Sequence, residues 1–345
     1  MGNRVHPAST ASPGSRGATA ISQRLYNHDL APTREEGRTW SGYNIFALWA
    51  NDVHSLGSYG FALGLFALGL GGWQILLSLG IGAVFLFVLL TLSGITGHKI
   101  GVPFPVLSRI AFGIRGAQLA AVIRGFVAIV WFGIQTYLAT LAMRVMLIAL
   151  WPQLSLLDAN SILGLSTLGW ASFLALWAVQ MVIARYGMET IRHYEAYSGP
   201  ITLITFIGLA GWVLVQTEGQ IAWKAPLDLS GGMMWHEIFA GAALWVAIYG
   251  TFLLNYCDFT RSSKSRAAIV GGNFWGILLN VMFFACLTVI FAGGGLELDG
   301  YLLDSPADLV ASIPNTPLLV AAGLALLIMT VAVNLMANFP RSTCW

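Results

Sequence analysis

ALWANDVHSLGSYG, residues 47–60, places Asn51, Asp52, His54 and Ser55 inside a run, 43–71, that otherwise holds no Asp, Glu, Lys or Arg. Polar and ionisable groups at the depth of a membrane are expensive and by default point to a substrate or ion pathway. Gly57 and Gly60 follow them closely. A helix whose hydrogen-bond ladder opens at such a point frees carbonyls that can coordinate a cation, and discontinuous helices of this kind mark secondary transporters. The competing reading is that Asp52 and His54 only make polar contacts between helices.

The rest of the chain supports a bilayer setting. Of 345 residues, 57% are hydrophobic and 9% charged, against about 25% charged in an average soluble domain, which leaves too little polar surface for a water-soluble globule. About 20 apolar residues cross the hydrocarbon core, and the runs that qualify are 43–71, 75–97, 118–150, 160–184, 197–217, 236–256, 270–293 and 317–339. The first and third are long enough to be tilted or broken. Between the second and third, HKIGVPFPVLSRIAFGIRG (98–116) mixes Pro, Arg and apolar residues and reads as a short interfacial helix. Residues 1–40 contain no apolar run and read as a disordered cytoplasmic tail rather than a signal peptide.

The net charge of +2 says nothing, but its distribution does. All Lys and Arg except Lys224 and Arg144 fall on one side of the proposed crossings, while Asp158, Glu218, Asp228, Glu297, Asp299, Asp304 and Asp308 lie on the other. Basic residues stay cytoplasmic, so the N-terminus is cytoplasmic and the protein is multi-pass in a plasma (inner) membrane. Arg144 is expected to snorkel outward. Asp258 and Arg261 suit either a gate ion pair or a charged loop. Cys257, Cys286 and Cys344 stand apart, without disulfide or zinc spacing. No Gly-Lys-Ser or Gly-Lys-Thr occurs, which excludes a phosphate-loop motor, and nothing suggests a nucleic-acid partner.

In the third run, Trp131 and Gln135 are four residues apart, hence neighbours on one helical face. An indole gives a flat stacking surface and a carboxamide both donates and accepts hydrogen bonds. The pair suits a planar heterocycle with N–H and C=O groups along its edge, although an aromatic at a helix interface is commonly packing. An intramembrane enzyme using Asp52, His54 and Ser55 fits less well, because a triad needs base and orienter to converge on the nucleophile.

Several segments together resemble the nucleobase:cation symporter-1 family of purine, cytosine, uracil, allantoin and hydantoin permeases. They are Asn27-His-Asp-Leu-Ala-Pro-Thr33, Arg38-Thr-Trp40, Trp49, Ser108-Arg-Ile-Ala-Phe-Gly-Ile-Arg-Gly116, Trp131-Phe-Gly-Ile-Gln135, Asn255 with Asp258-Phe-Thr-Arg261, and Asn334-Leu-Met-Ala-Asn338. The resemblance implies an all-α integral membrane protein with the five-plus-five inverted-repeat (LeuT-like) fold. Its first repeat would occupy 41–217 and part of the second 236–339. It also implies a transporter, not an enzyme, that has no cofactor and imports a planar heterocycle with H⁺ or Na⁺ as a monomer in the lipid bilayer.

Carried over by position, the stacking tryptophan and its glutamine fall on Trp131 and Gln135, the substrate-bonding asparagine on Asn338, and a polar first-helix residue on Ser55. The second stacking aromatic falls on Tyr249, with Trp245 one turn earlier as a substitute. The carbonyls that hold the cation belong to Asn51 and His54. Sodium-coupled members complete that position with hydroxyls where this chain has Ala332 and Val333, with Met329 at the third position. Neither Ala332 nor Val333 offers a side-chain oxygen, so Asp52 and His54, which titrate, favour a proton. Ten core helices are needed and this sequence ends after the eighth, with a polar 340–345, PRSTCW. The expectation is therefore a C-terminally truncated chain with an incomplete second repeat, and a non-transporting fragment that at most binds substrate is the alternative.

Overall fold

The structure, a computed structural model, describes residues 30–338 except 187 and 228. The motif residues 27–29, most of the basic tail and 340–345 fall outside the described residues. Every described element longer than a turn is helical: α1 (Gly42–Asp52), α2 (Leu56–Ala67), α3 (Gly72–Ile100), α4 (Phe104–Leu150), α5 (Thr167–Ala184), α6 (Met188–Gln216), α7 (Gly231–Ile248), α8 (Gly250–Asn255), α9 (Cys257–Thr260), α10 (Arg266–Asn273), α11 (Asn280–Asp299), α12 (Pro306–Ala311) and α13 (Thr316–Val333). In lipid each backbone polar group must be bonded internally, and runs of Leu, Ile, Val, Phe and Ala satisfy this as helices.

Among the described residues, six helical runs are long and apolar enough to cross a membrane, and α7 with α8–α9, bent by 43°, makes a seventh. The first expected crossing is the exception. It is two short helices, α1 and α2, parted at Val53–Ser55. Ser41 caps α1 through a reciprocal bond with Asn44, and Ser55 caps α2 by accepting from the Ser58 N–H, so each half has its own start signal.

Three further departures from the sequence reading have local causes. The expected surface helix and third span form one run, α4, with a corner at Gly113, whose φ of 66° is natural only for glycine. The expected seventh span is longer, Arg266–Asp299, and contains a π turn at Phe274–Leu279; such turns commonly accompany functional sites. Residues 30–40 are docked rather than a free tail. The Thr33 N–H donates to Gly101 O, the Trp40 N–H to Ser262 O and the Lys264 N–H to Trp40 O, while Arg38 Nη1 meets His98 Nδ1 at 2.8 Å.

The core forms where α1 packs on α6 and α10, and α3 on α7 and α11. Trp49, Trp245, Tyr59, Phe206, Phe284 and Phe291 are fully buried there. The helix α4 lies against α13 and α5, and its opposite side exposes Leu119, Val122, Ile123, Phe126 and Ile129, an apolar stripe suited to lipid. Arg144 does reach to the end of its helix: it grips Asp158 through Nε (2.7 Å) and Nη2 (2.5 Å). Those bonds, aided by the Ser166 hydroxyl, hold the Asp158 carboxyl below its ordinary range.

Candidate functional site

At the break between α1 and α2 the Ser55 N–H turns to Asp52 O and the Ser58 N–H to Ser55 Oγ. Neither therefore donates to the carbonyls of Asn51 or His54, which are left open as the sequence pattern requires. The side chains take separate directions. Asn51 is fully buried against α6, its Nδ2 donating to Glu195 Oε2 at 2.5 Å and to Ala47 O, and its Oδ1 accepting from Thr202 Oγ1 at 3.0 Å. His54, also fully buried, bonds Tyr59 OH through Nδ1 (2.9 Å) and Asn280 Oδ1 through Nε2 (3.1 Å), with its ring stacked on Phe206. Asn280 closes the arrangement by donating to Trp49 O. Both ring nitrogens of His54 are thus committed within the protein. Asp52 is half-buried and takes no hydrogen bond on its carboxyl from the described residues.

The first turn of α2 faces α4. A Cβ placed on Gly57 would lie 3.2 Å from Gln135 Nε2 and 3.6 Å from Trp131 Cζ3, so glycine is what lets the two helices approach at the Trp131–Gln135 pair. Trp131 is half-buried; Gln135 is buried and its Oε1 has no partner. Ser55 is occupied by its cap and by Ser58 Oγ at 2.9 Å. Tyr249 stands at the bend between α7 and α8, edge-on to Trp245 (centroids 5.4 Å) and to Trp49 (6.0 Å). Its hydroxyl lies near Ser58 and Asp52 without a partner of normal geometry, and Trp245 Nε1 is likewise buried and unpaired. The structure therefore groups Gly57, Trp131 and Gln135 on one side of the α2 start and Tyr249 near Ser58, while Trp245 sits deeper, stacked at 5.2 Å on Phe284.

On α13, Met329, Ala332 and Val333 are buried and supply no side-chain oxygen, and Thr330 Oγ1 donates to Leu326 O of its own helix. The positions expected to hold the cation thus bring the carbonyls of Asn51 and His54 at the break and no side-chain hydroxyl from Met329, Ala332 or Val333. Beyond α13, a π turn at Asn334–Asn338 aims Asn334 Nδ2 at Gln180 Oε1 (2.8 Å) and Thr136 Oγ1 (3.1 Å), while Asn338 Nδ2 donates to Asn334 Oδ1 (3.0 Å). Asn338 is thereby tied to α4 and α5 through Asn334. Asp258 accepts from the Phe104 N–H at 2.7 Å, at the start of α4, with Arg124 and Arg261 within electrostatic reach. Buried Arg124 donates to Ala337 O.

Sequence reasoning missed Glu195, Thr202, Asn280, Asn334, Thr136 and Gln180. For Glu195 the signal was present: an acid only three residues after Arg192, which the boundary drawn at 197 left in a loop, but which α6 carries inside the fold at 2% exposure.

A family model described as permease for cytosine/purines, uracil, thiamine and allantoin matches residues 32–341. The chain is 33% identical over 324 residues to an allantoin permease of Bacillus subtilis, covering 92% of this chain and 65% of that one. It is 31% identical to a putative allantoin permease of Escherichia coli, covering 80% and 58%, and 25% identical to a uracil permease of Saccharomyces cerevisiae, covering 87% and 48%. The chain thus spans about half to two thirds of these relatives. In fold it is similar to Mhp1, described as a nucleobase-cation-symport-1 family transporter, in a closed conformation with bromovinylhydantoin bound: TM-score 0.74, 18% identity, 91% of this chain and 67% of that chain. These relatives are permeases and a transporter, not enzymes.

Proposed function

The chain belongs to the nucleobase:cation symporter-1 family, the permeases for cytosine/purines, uracil, thiamine and allantoin, and on that premise we propose that it imports a planar heterocycle by cation symport and alternating access. The observation that carries the reading is Gln135: a buried carboxamide oxygen without a partner, beside a half-buried indole and under a glycine that keeps the approach open. A buried polar atom left unpaired is destabilising, and a ring N–H of the substrate would satisfy it while Trp131 stacks on the ring face. Tyr249, whose hydroxyl is also unpaired, closes the other side, and Asn338 adds an edge contact. Opening of the α1–α2 break then couples ring binding to the cation. The basic residues clustered on one side support a cytoplasmic N-terminus in the plasma (inner) membrane.

The test is uptake of labelled allantoin by this chain in a strain lacking its own carriers, competed with uracil, cytosine, purines and hydantoins. Saturable uptake that one of these displaces supports the reading. Saturable binding without uptake favours a binding-only role, and the absence of both for the whole panel discards the heterocycle.

A further inference from the structure

The α1–α2 break leaves one acid that the substrate reading does not use. Glu195 of α6 is 2% exposed; its Oε2 accepts from Asn51 Nδ2 at 2.5 Å, and its Oε1 is buried with no partner. A purely structural acceptor for Asn51 needs no second oxygen. A carboxylate held there with half its lone pairs unpaired is costly, whereas the neutral acid is tolerated. Glu195 also sits one hydrogen bond from the discontinuous helix, about 10 Å along α6 from its start, given 1.5 Å per residue, so that separation of α1 from α6 would expose it.

We infer that Glu195 is the coupling-proton site of this carrier: it holds a proton while α1 and α6 are packed together and releases it when the break opens. The inference rests on the symport reading above. The groups that face Glu195 fit the role. Asp52 at the end of α1 is an acid that interacts electrostatically with it, giving a second carboxylate to which a proton can pass through water. Tyr194, its neighbour on α6, donates its hydroxyl to Ile328 O. His54, at the break, has both ring nitrogens bonded to Tyr59 and Asn280. The helices α13 and α5 bring no ionisable residue, and α11 brings only Cys286 and, at its far end, Glu297 and Asp299. Arg192 and His193 precede Glu195 on its own helix and interact with each other at 3.4 Å. No cation is among the residues that α1, α5, α11 or α13 bring to it, so a proton is the charge the cluster itself can bind and lose.

The experiment uses purified protein in liposomes with labelled allantoin, or labelled uracil where the competition panel selects it. An inward gradient of one pH unit can drive up to about tenfold accumulation at one proton per substrate, since each 1.4 kcal/mol is tenfold. Glu195→Gln keeps an acceptor for Asn51 and removes the proton. Exchange of internal for external substrate at equal pH is expected to persist, with gradient-driven accumulation falling to about onefold. Accumulation by the variant equal to the parent's, or accumulation that requires sodium at constant pH, overturns the inference. Should the variant fail to fold or to exchange, infrared titration of the parent protein decides. A protonated-carboxyl absorption that is lost at high pH and displaced in Glu195→Asp supports the assignment, and its absence, or its indifference to the substitution, overturns it. A parent protein that transports no member of the panel discards the carrier reading instead, and the infrared titration still judges Glu195.

Discussion

The two interrupted crossings meet the same problem in opposite ways. At the α1–α2 break the polar side chains are held: Ser55 caps, Asn51 joins Glu195 and Thr202, and His54 joins Tyr59 and Asn280. At the bend between α7 and α8 the neighbours are aromatic rings, and the polar atoms they carry, Tyr249 OH and Trp245 Nε1, are unpaired. An opened helix in a membrane must have its polar groups satisfied by protein or by a cavity. The first break is satisfied mainly by protein, through side-chain bonds to α6 and to Asn280 of α11 that must part when it opens. The second leaves buried donors unpaired, which under the proposed function a ligand would take up.

Substitution at the held break should have the largest effect. Asn51→Leu orphans Glu195 and Thr202 together, and with about 1–3 kcal/mol for each buried group left unsatisfied it is expected to lower stability by about 3 kcal/mol. Thermal unfolding in detergent measures this; a change near zero would mean that the joint is not held by these bonds. Next is Trp131→Ala, expected to weaken substrate binding by about 2 kcal/mol, with Trp131→Phe retaining part of it, because stacking of a base on an aromatic contributes about 1–3 kcal/mol. Equal affinities of the Ala and Phe variants in equilibrium binding would make the indole a packing residue.

Tyr249→Phe sharpens the contrast by its sign. It removes a buried hydroxyl that has no partner, so the melting point should hold or rise while substrate affinity falls by about 1 kcal/mol, the net contribution of one hydrogen bond. A fall in stability instead would place Tyr249 in the held class. The smallest effect lies away from both breaks. The Asp158 carboxyl is lowered by Arg144, so its contribution is present above the ordinary value of 3.8 and is lost as the pH falls through the lower folded value. For a partly exposed pair that is about 0.2–1 kcal/mol. Arg144→Gln should therefore barely move the melting point at pH 7, and should flatten what acid dependence the pair gives below pH 3.8.

By itself the sequence determined that the chain is a multi-helix membrane protein, that its first crossing opens near Asn51–Ser55, and that Trp131 and Gln135 share a helical face. These follow from quantities local to the chain: the length of apolar runs, polar residues within them, and a spacing of four. Tertiary structure alone decided the rest. The bend at Tyr249 carries no proline to announce it, and the π turns at Phe274–Leu279 and Asn334–Asn338 follow from contacts with α1 and α4 rather than from composition. Asp52 and His54 look alike in sequence as titratable groups two residues apart. Packing separates them, enclosing His54 among Phe206, Phe284, Tyr59 and Asn280 and leaving the Asp52 carboxyl without a described partner. Glu195 shows the same dependence most directly. Whether an acid near a helix end meets water or a buried asparagine depends on which helix lies against it, and that neighbour, α1, is 144 residues away along the chain.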